Sequence, residues 1–389
     1  MRVLMLVATS VATDTRVLRE AITLVEAGHV VHVVGKDVPP DFVPPPGVTV
    51  SSAGASSVFR PAGAPSASGR TLSAPQRLAR WTLLPQHRNQ AFGSWARAAT
   101  QDARTREFDV VHAHDFTALE AGAALASQRG VPYVYDSHEL WLGRQRQYRP
   151  TPLQDRRERA VERRLGEHAA AVITVGDGVA AALRRDYGWK HIVVVRNTFP
   201  AREDDGTSLP ARPTGLVYAG RVDAHRELET VLAGARFLPD LPVTLLGPSD
   251  DVWVGSHAAE IAAVGAVLAP AVPVVEVTAA LRAAGLALVT HSDRFESHVL
   301  ALPNKLFHAV HAGVPVVATD VSELAGIVRG HGLGELYRPG DAASLAAAVH
   351  RAVNRYEQLV ANVAAAGPSL SWPRDAARLQ RVYEGLHVG

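Results

Sequence analysis

The chain has 389 residues, 47% hydrophobic and 20% charged, enough apolar mass for two domains at roughly 100–200 residues each. A formal net charge of +2 excludes the strong overall field that nucleic-acid binding calls for, and the lack of cysteine excludes disulfides, thiolate nucleophiles and Cys-ligated zinc. No apolar run reaches the ~20 residues of a membrane-spanning helix, and the apolar start at residues 3–7 is too short for a signal-peptide core, so a cytoplasmic protein is expected.

Residues 3–8 read as a buried strand, 15–27 as an amphipathic helix ended by Gly28, and 30–34 as a second strand. Further β-branched apolar runs stand at 110–113, 133–136, 172–175 and 192–195, each adjoining a helical pattern. Continuous apolar strands separated by helices predict a parallel sheet covered on both faces. Residues 53–75 are rich in Ala, Ser, Gly and Pro and read as a loop. Residues 76–106 then carry Arg77, Arg80, Arg88, Arg97, Arg104 and Arg106 among Trp81, Leu83, Leu84, Phe92 and Trp95. This pattern predicts a covering helix with solvated arginines, with weak peripheral membrane association as the alternative.

After the polar linker 201–213, strand patterns return at 216–219, 243–246, 266–268, 286–289 and 315–318, again with helices between them. The fold class expected is α/β: two Rossmann-like doubly wound domains, 1–200 and 214–371, facing each other across a cleft. Residues 372–389 form a last amphipathic helix.

In this order the chain carries Asp14-Thr-Arg16-Val-Leu-Arg19-Glu20, Phe108-Asp-Val-Val-His-Ala-His-Asp115, Tyr135-Asp-Ser-His-Glu139 and Arg196-Asn197-Thr-Phe-Pro200. It continues with Tyr218-Ala-Gly-Arg221, Arg226-Glu-Leu-Glu229, Leu246-Gly-Pro248 and Leu302-Pro-Asn-Lys305-Leu-Phe-His308, followed by Gly313-Val-Pro-Val-Val-Ala318. Each is weak alone, but together they resemble the retaining glycosyltransferases of the two-Rossmann (GT-B) type, over almost the whole length. The resemblance implies an N-terminal acceptor-binding domain, a C-terminal domain for a nucleoside-diphosphate sugar, and a last helix crossing back to the first domain. UDP is the nucleotide most expected, with dTDP or GDP as alternatives.

A sugar donor needs its diphosphate held and the charge arriving on it stabilised. Arg221, after Gly220 at a strand end, and Arg226, near a helix start, are expected to clamp that diphosphate without a metal. Lys305 is one of only three lysines, with Lys36 and Lys190, in a chain that otherwise uses arginine, which suggests that a compact charge is wanted there. The resemblance places Asn304, Lys305, Leu306 and the helix start against diphosphate and sugar, with Gly247 beside them. Relatives carry a glutamate where His308 stands, and many carry another where Leu300 stands; Glu296 is the nearest acid and joins the donor candidates.

In the first domain, His112 and His114 flank Ala113 and are expected on opposite sides of the strand, with His114 facing the donor sugar. Asp14, Arg16, Asp115, His138 and Glu139 are the acceptor-side candidates. The triplet from His112 to His114 beside Asp115 has some metal-ligand character, but no third cluster stands near it, so no metal and no other cofactor is expected. The chain lacks a Gly-x-Ser-x-Gly elbow, a Walker loop and a Gly-x-Gly-x-x-Gly at the first turn, which argues against dehydrogenases and NTPases. Sugar transfer to an acceptor hydroxyl is the expected activity. A nucleotide-sugar epimerase and a non-catalytic nucleotide- or partner-binding homologue are the alternatives.

Overall fold

The computed structural model describes residues 1–53, 93–146, 151–202 and 208–386. The first sheet holds β1 (Arg2–Leu6), β2 (Val30–Gly35), β3 (Val48–Ser52), β4 (Val110–His114), β5 (Tyr133–Ser137), β6 (Ala171–Thr174) and β7 (Ile192–Val194). They are all parallel, in the order β3-β2-β1-β4-β5-β6-β7. β4, β5 and β6 are buried along their whole length, which is why their sequences read as apolar runs rather than as alternation. The helix Thr15–Glu26 between β1 and β2 starts at Asp14, whose Oδ1 accepts from the Val17 backbone N–H.

The second sheet holds β8 (Gly215–Ala219), β9 (Val243–Leu246), β10 (Val267–Ala269), β11 (Gly285–Val289), β12 (Val316–Thr319) and β13 (Gly334–Tyr337). It is also all parallel, in the order β10-β9-β8-β11-β12-β13. Sequence reading missed β3 and β13. Both are edge strands that mix buried residues such as Val48 and Tyr337 with half-buried or exposed ones, several of them polar, so neither carries a continuous apolar run.

The chain passes between the two domains twice, side by side. Phe199 bridges Ser371 in parallel, and the Trp372 N–H donates to the Phe199 carbonyl at 2.7 Å. Beyond that point the helix Trp372–Glu384 lies on the N-terminal domain. Trp372 Nε1 donates to Thr23 Oγ1 at 2.9 Å, and Leu379, Val382 and Tyr383 join a core containing Val3, Met5 and Val31. Burying each such side chain stabilises by about 1.5–3 kcal/mol.

Most of the basic segment 76–106 lies outside the described residues. The part from 93 to 104 is helical, with Trp95 fully buried and its Nε1 donating to the Gly35 carbonyl at 3.3 Å. Among the described residues no helix is long and apolar enough to cross a membrane.

Candidate functional site

Both sheets reverse their winding at one point, between β1 and β4 in the first and between β8 and β11 in the second. In open parallel sheets ligands bind outside the carboxyl ends of the strands at these points. A crevice of about 430 Å³ lies there between the domains, lined by Thr9, Thr13, Asp14, His138, Asn197, Leu302 and Asn304. A larger cavity, about 970 Å³, sits on the hinge side against Pro200, Leu209, Val363 and Leu370. It is away from the strand ends and from the charged residues described next, so the interdomain crevice is the functional candidate.

Next to the crevice, beside Asn304 on its wall and at the carboxyl end of β8, the C-terminal domain carries a basic cradle. Lys305, second residue of the helix Asn304–Ala312, carries its Nζ over the Tyr218 ring, 4.9 Å from the centroid. Two glycines make the room. A Cβ on Gly220 would lie 2.5 Å from Lys305 Cε, and one on Gly247 would lie 2.2 Å from the Gly220 carbonyl oxygen. Lys305 has no hydrogen-bond or ion-pair partner among the described residues. Burial, then the nearby Arg226, push its pKa down to about 8, with Asp223 opposing them. Arg221 and Arg226 flank Asp223, each donating from Nε to one of its carboxylate oxygens, at 2.8 Å and 3.0 Å. Arg226 lies in a loop two residues before the helix Leu228–Ala235, and Thr290 Oγ1 donates to its carbonyl at 2.6 Å.

The N-terminal wall holds a buried ionic network whose layout corrects several expectations. His112 and His114 lie on the same side of β4 with rings stacked 4.3 Å apart, because a strand repeats every two residues. Both are fully buried, so His114 does not open onto the cleft; the histidine lining the crevice is His138. His138 Nδ1 stands 3.2 Å from Asp115 Oδ2 and its Nε2 3.0 Å from Asp136 Oδ2. Burial opposes charge on this imidazole, but the two carboxylates outweigh it and hold its pKa well above the usual value. Arg16 does not offer its guanidinium to an acceptor. Nε and Nη2 bind both oxygens of Asp136 at 2.9 and 2.8 Å, and Nη1 donates to the Val195 carbonyl at 2.9 Å.

Glu20, His112, His114 and Asp136 present ligand atoms within 4.8 Å of one another, and the Glu20 oxygens and both histidine Nε2 atoms lack hydrogen-bond partners among the described residues. Arg16, holding Asp136 and standing 3.0 Å from Glu20 Oε1, already supplies the cation of this cluster. Burial raises the Glu20 pKa, which keeps this carboxyl protonated beside the Arg16–Asp136 pair. Glu139 is partly exposed near Arg144, and burial followed by Asp115 raises its pKa to about 7.

Three donor-side candidates have other occupations. Glu296 pairs with Arg185 of the N-terminal domain at 2.8 Å, which turns its carboxylate toward that domain. Leu306 is fully buried and its N–H donates to the Pro303 carbonyl, so it presents neither side chain nor amide. His308 is buried, stacked on Phe199 at 4.6 Å, with Nε2 2.9 Å from Thr278 Oγ1. Burial and His311 lower its pKa to about 4, which leaves the ring neutral. Asn304 stays exposed and accepts from Asn197 Nδ2 across the cleft at 2.9 Å. Leu300 packs against the N-terminal core and approaches Gly178, which gives an apolar residue a use at that position. Sequence reading gave no site role to Tyr218, Asp223 and Asn197. The first and last stood within quoted motifs, and an acid two residues after Arg221 was the available signal for Asp223.

Residues 14–201 match the family described as Glycosyltransferase Family 4, and residues 214–355 match Glycosyl transferases group 1. Glycogen synthase of Mycobacterium tuberculosis is 28% identical over 280 residues, covering 69% of this chain and 66% of that relative, just under two thirds of its length. Among solved structures, sucrose-phosphate synthase from Thermosynechococcus elongatus superposes with a TM-score of 0.74 at 18% identity, covering 99% of this chain and 98% of the other. Anabaena HepE in complex with UDP superposes with a TM-score of 0.68 at 15% identity, covering 99% and 100%. At these identities the two structures establish the shared two-domain fold.

Proposed function

Because the chain belongs to the glycosyltransferases, family 4 in its first half and group 1 in its second, we propose that it transfers a sugar from a nucleoside-diphosphate sugar to an acceptor hydroxyl. The observation that carries this reading is Lys305: a half-buried cation near Arg226 with no hydrogen-bond or ion-pair partner among the described residues, at the end of β8 and adjoining Asn304 on the crevice wall. When the bond between the anomeric carbon and the phosphate oxygen breaks, its electron pair passes to the diphosphate. Lys305, Arg221 and Arg226 stand where that charge is received.

The group resemblance favours retention at the anomeric carbon. Three cations at the diphosphate make a divalent ion there unnecessary. The complex of HepE with UDP, and the complex of the same protein with UDP-glucose, favour a UDP-sugar as donor. The crevice is lined by the hydroxyls of Thr9 and Thr13 and the amides of Asn197 and Asn304, and apart from the His138 imidazole no aromatic ring lines it among the described residues. Such a wall suits a polyhydroxylated acceptor, a sugar or glycan, better than a planar aglycone.

Release of nucleoside diphosphate from UDP-, GDP- and dTDP-sugars, with and without sugar acceptors, tests this reading in buffer free of divalent ions. Acceptor-dependent release is expected, and added Mg²⁺ or Mn²⁺ should leave the rate within about twofold. No release with any acceptor, while nucleotide still binds, would point to a binding homologue. The buried His308 and the apolar Leu300 are the observations that favour that second reading. Turnover of the donor without acceptor would point to an epimerase.

A further inference from the structure

Asp223 is the acid inside the basic cradle. It is about one quarter exposed and takes one guanidinium on each oxygen, Arg221 on Oδ2 and Arg226 on Oδ1. Both arginines bind it through Nε. Their Nη ends have no hydrogen-bond partner among the described residues, and those ends form the two-pronged edge that suits phosphate oxygens. The loop is built to hold this arrangement. His225 and Glu227 on either side of Arg226 adopt positive φ, 68° and 60°, a conformation unfavourable for residues bearing a side chain. Thr290 Oγ1 on the Arg226 carbonyl and the Gly340 N–H on Glu227 Oε2 pin it there, at 2.6 and 2.8 Å.

The charge count gives Asp223 a second task. Arg221, Arg226 and Lys305 carry three positive charges, and Asp223 reduces the cradle to two. A donor's diphosphate gains roughly one further negative charge when it leaves as nucleoside diphosphate. The extra hold on the product over the donor grows with the net charge of the cradle, so three uncompensated cations would retain the product more strongly than the two left by Asp223.

Resting on the transfer reading above, we propose that Asp223 is a positioning residue and built-in counter-ion of the diphosphate cradle. It holds Arg221 and Arg226 by their Nε edges and, by competing with the spent nucleoside diphosphate, it lets the product leave.

The test uses the full chain and whichever of UDP, GDP and dTDP binds most tightly. Asp223→Asn keeps the shape and one acceptor oxygen while removing the charge. It should bind that nucleotide about tenfold more tightly and slow steady-state turnover by at least a similar factor, with single-turnover transfer slowed less than steady-state turnover. Asp223→Glu should restore wild-type affinity. A loss of loop structure would instead weaken binding and slow both rates. Nucleotide affinity in Asp223→Asn that is unchanged or weaker overturns the proposal. Nucleoside diphosphate release by the wild type, measured in parallel, separates the two levels: no release with any acceptor fails the transfer reading itself, whereas acceptor-dependent release with unchanged or weaker affinity in Asp223→Asn sinks only the role of Asp223.

Discussion

The ammonium of Lys305 stands 4.9 Å from the centroid of the Tyr218 ring, so the cleft's least compensated cation rests on an aromatic face rather than on a carboxylate. A cation held this way keeps its attraction for an incoming anion, because no acid has to be displaced from it first.

Removing that cation is expected to weaken nucleoside diphosphate binding by about 1.5–3 kcal/mol in Lys305→Ala, the range for a hydrogen bond to a charged group. Arg221 is 62% exposed, and Arg221→Ala should cost less, about 0.5–1 kcal/mol. Calorimetric titration with UDP, GDP and dTDP measures both. Unchanged affinity in the two variants would remove the diphosphate assignment.

The depressed pKa of Lys305, about 8, sets a pH dependence. Below that value the side chain is cationic in the free protein; above it the charge is lost, although a free lysine would keep it to about 10.4. Nucleotide affinity and donor kcat/KM should therefore fall as pH rises through about 8. A bound diphosphate restores the charge, so kcat at saturating donor should fall less. Lys305→Arg should move the limb beyond pH 10, while a limb at the same pH in that variant would assign it to another group.

The two glycines separate site from fold. In Gly220→Ala the new methyl meets the end of the Lys305 side chain, which can swing aside, so only the backbone strain at φ 157° remains and nucleotide affinity should drop with a smaller fall in Tm than in Gly247→Ala. In Gly247→Ala it meets the Gly220 carbonyl, which cannot, so Tm should fall by several degrees, as ~1–2 kcal/mol of strain would produce. Thermal unfolding beside nucleotide titration distinguishes them, and equal losses of Tm would refute the difference.

The family resemblance implies a ribose-binding glutamate at the place of His308, yet the Nε2 of His308 is engaged by Thr278 and its ring by Phe199. The nucleotide's 2′-hydroxyl should then matter little. UDP and dUDP are expected to bind within about threefold, less than one hydrogen bond's worth of affinity. A tenfold preference of the wild type for UDP would show that some group grips that hydroxyl after all.

Glu20 is predicted to make stability pH-dependent. Burial raises its pKa in the folded chain, so above the ordinary glutamate value of about 4.3 the native state binds a proton that the unfolded state has released. Its contribution is complete below that value and is lost as pH rises toward the folded pKa. Glu20→Gln, neutral throughout, should show a smaller fall in urea midpoint between pH 5 and pH 8 than wild type. Identical falls in the two would mean that Glu20 is ionised in the folded chain.

Much of the architecture is legible in the residues themselves. The runs around Val3, Val110, Leu216 and Leu286 are apolar because their strands are covered on both faces, and that alone dictates parallel sheets with helices on either side. β3 and β13 escaped notice because an edge strand is wetted and needs no such run. The rarity of lysine singled out Lys305, and strand-end motifs singled out Gly220 and Arg221.

Hydrophobic periodicity, turn glycines and local motifs are properties of neighbouring residues, so the linear chain determined by itself that there are two Rossmann-like units and which basic residues stand at their strand ends. What a polar side chain does depends on which distant group the fold brings to it. Arg16 meets Asp136 across 120 positions, Glu296 meets Arg185 across 111, and His308 meets Thr278 across 30. Only the tertiary structure decided these partnerships, because a buried or paired charge takes its energy and protonation from atoms within a few ångströms in space, whatever their separation along the chain.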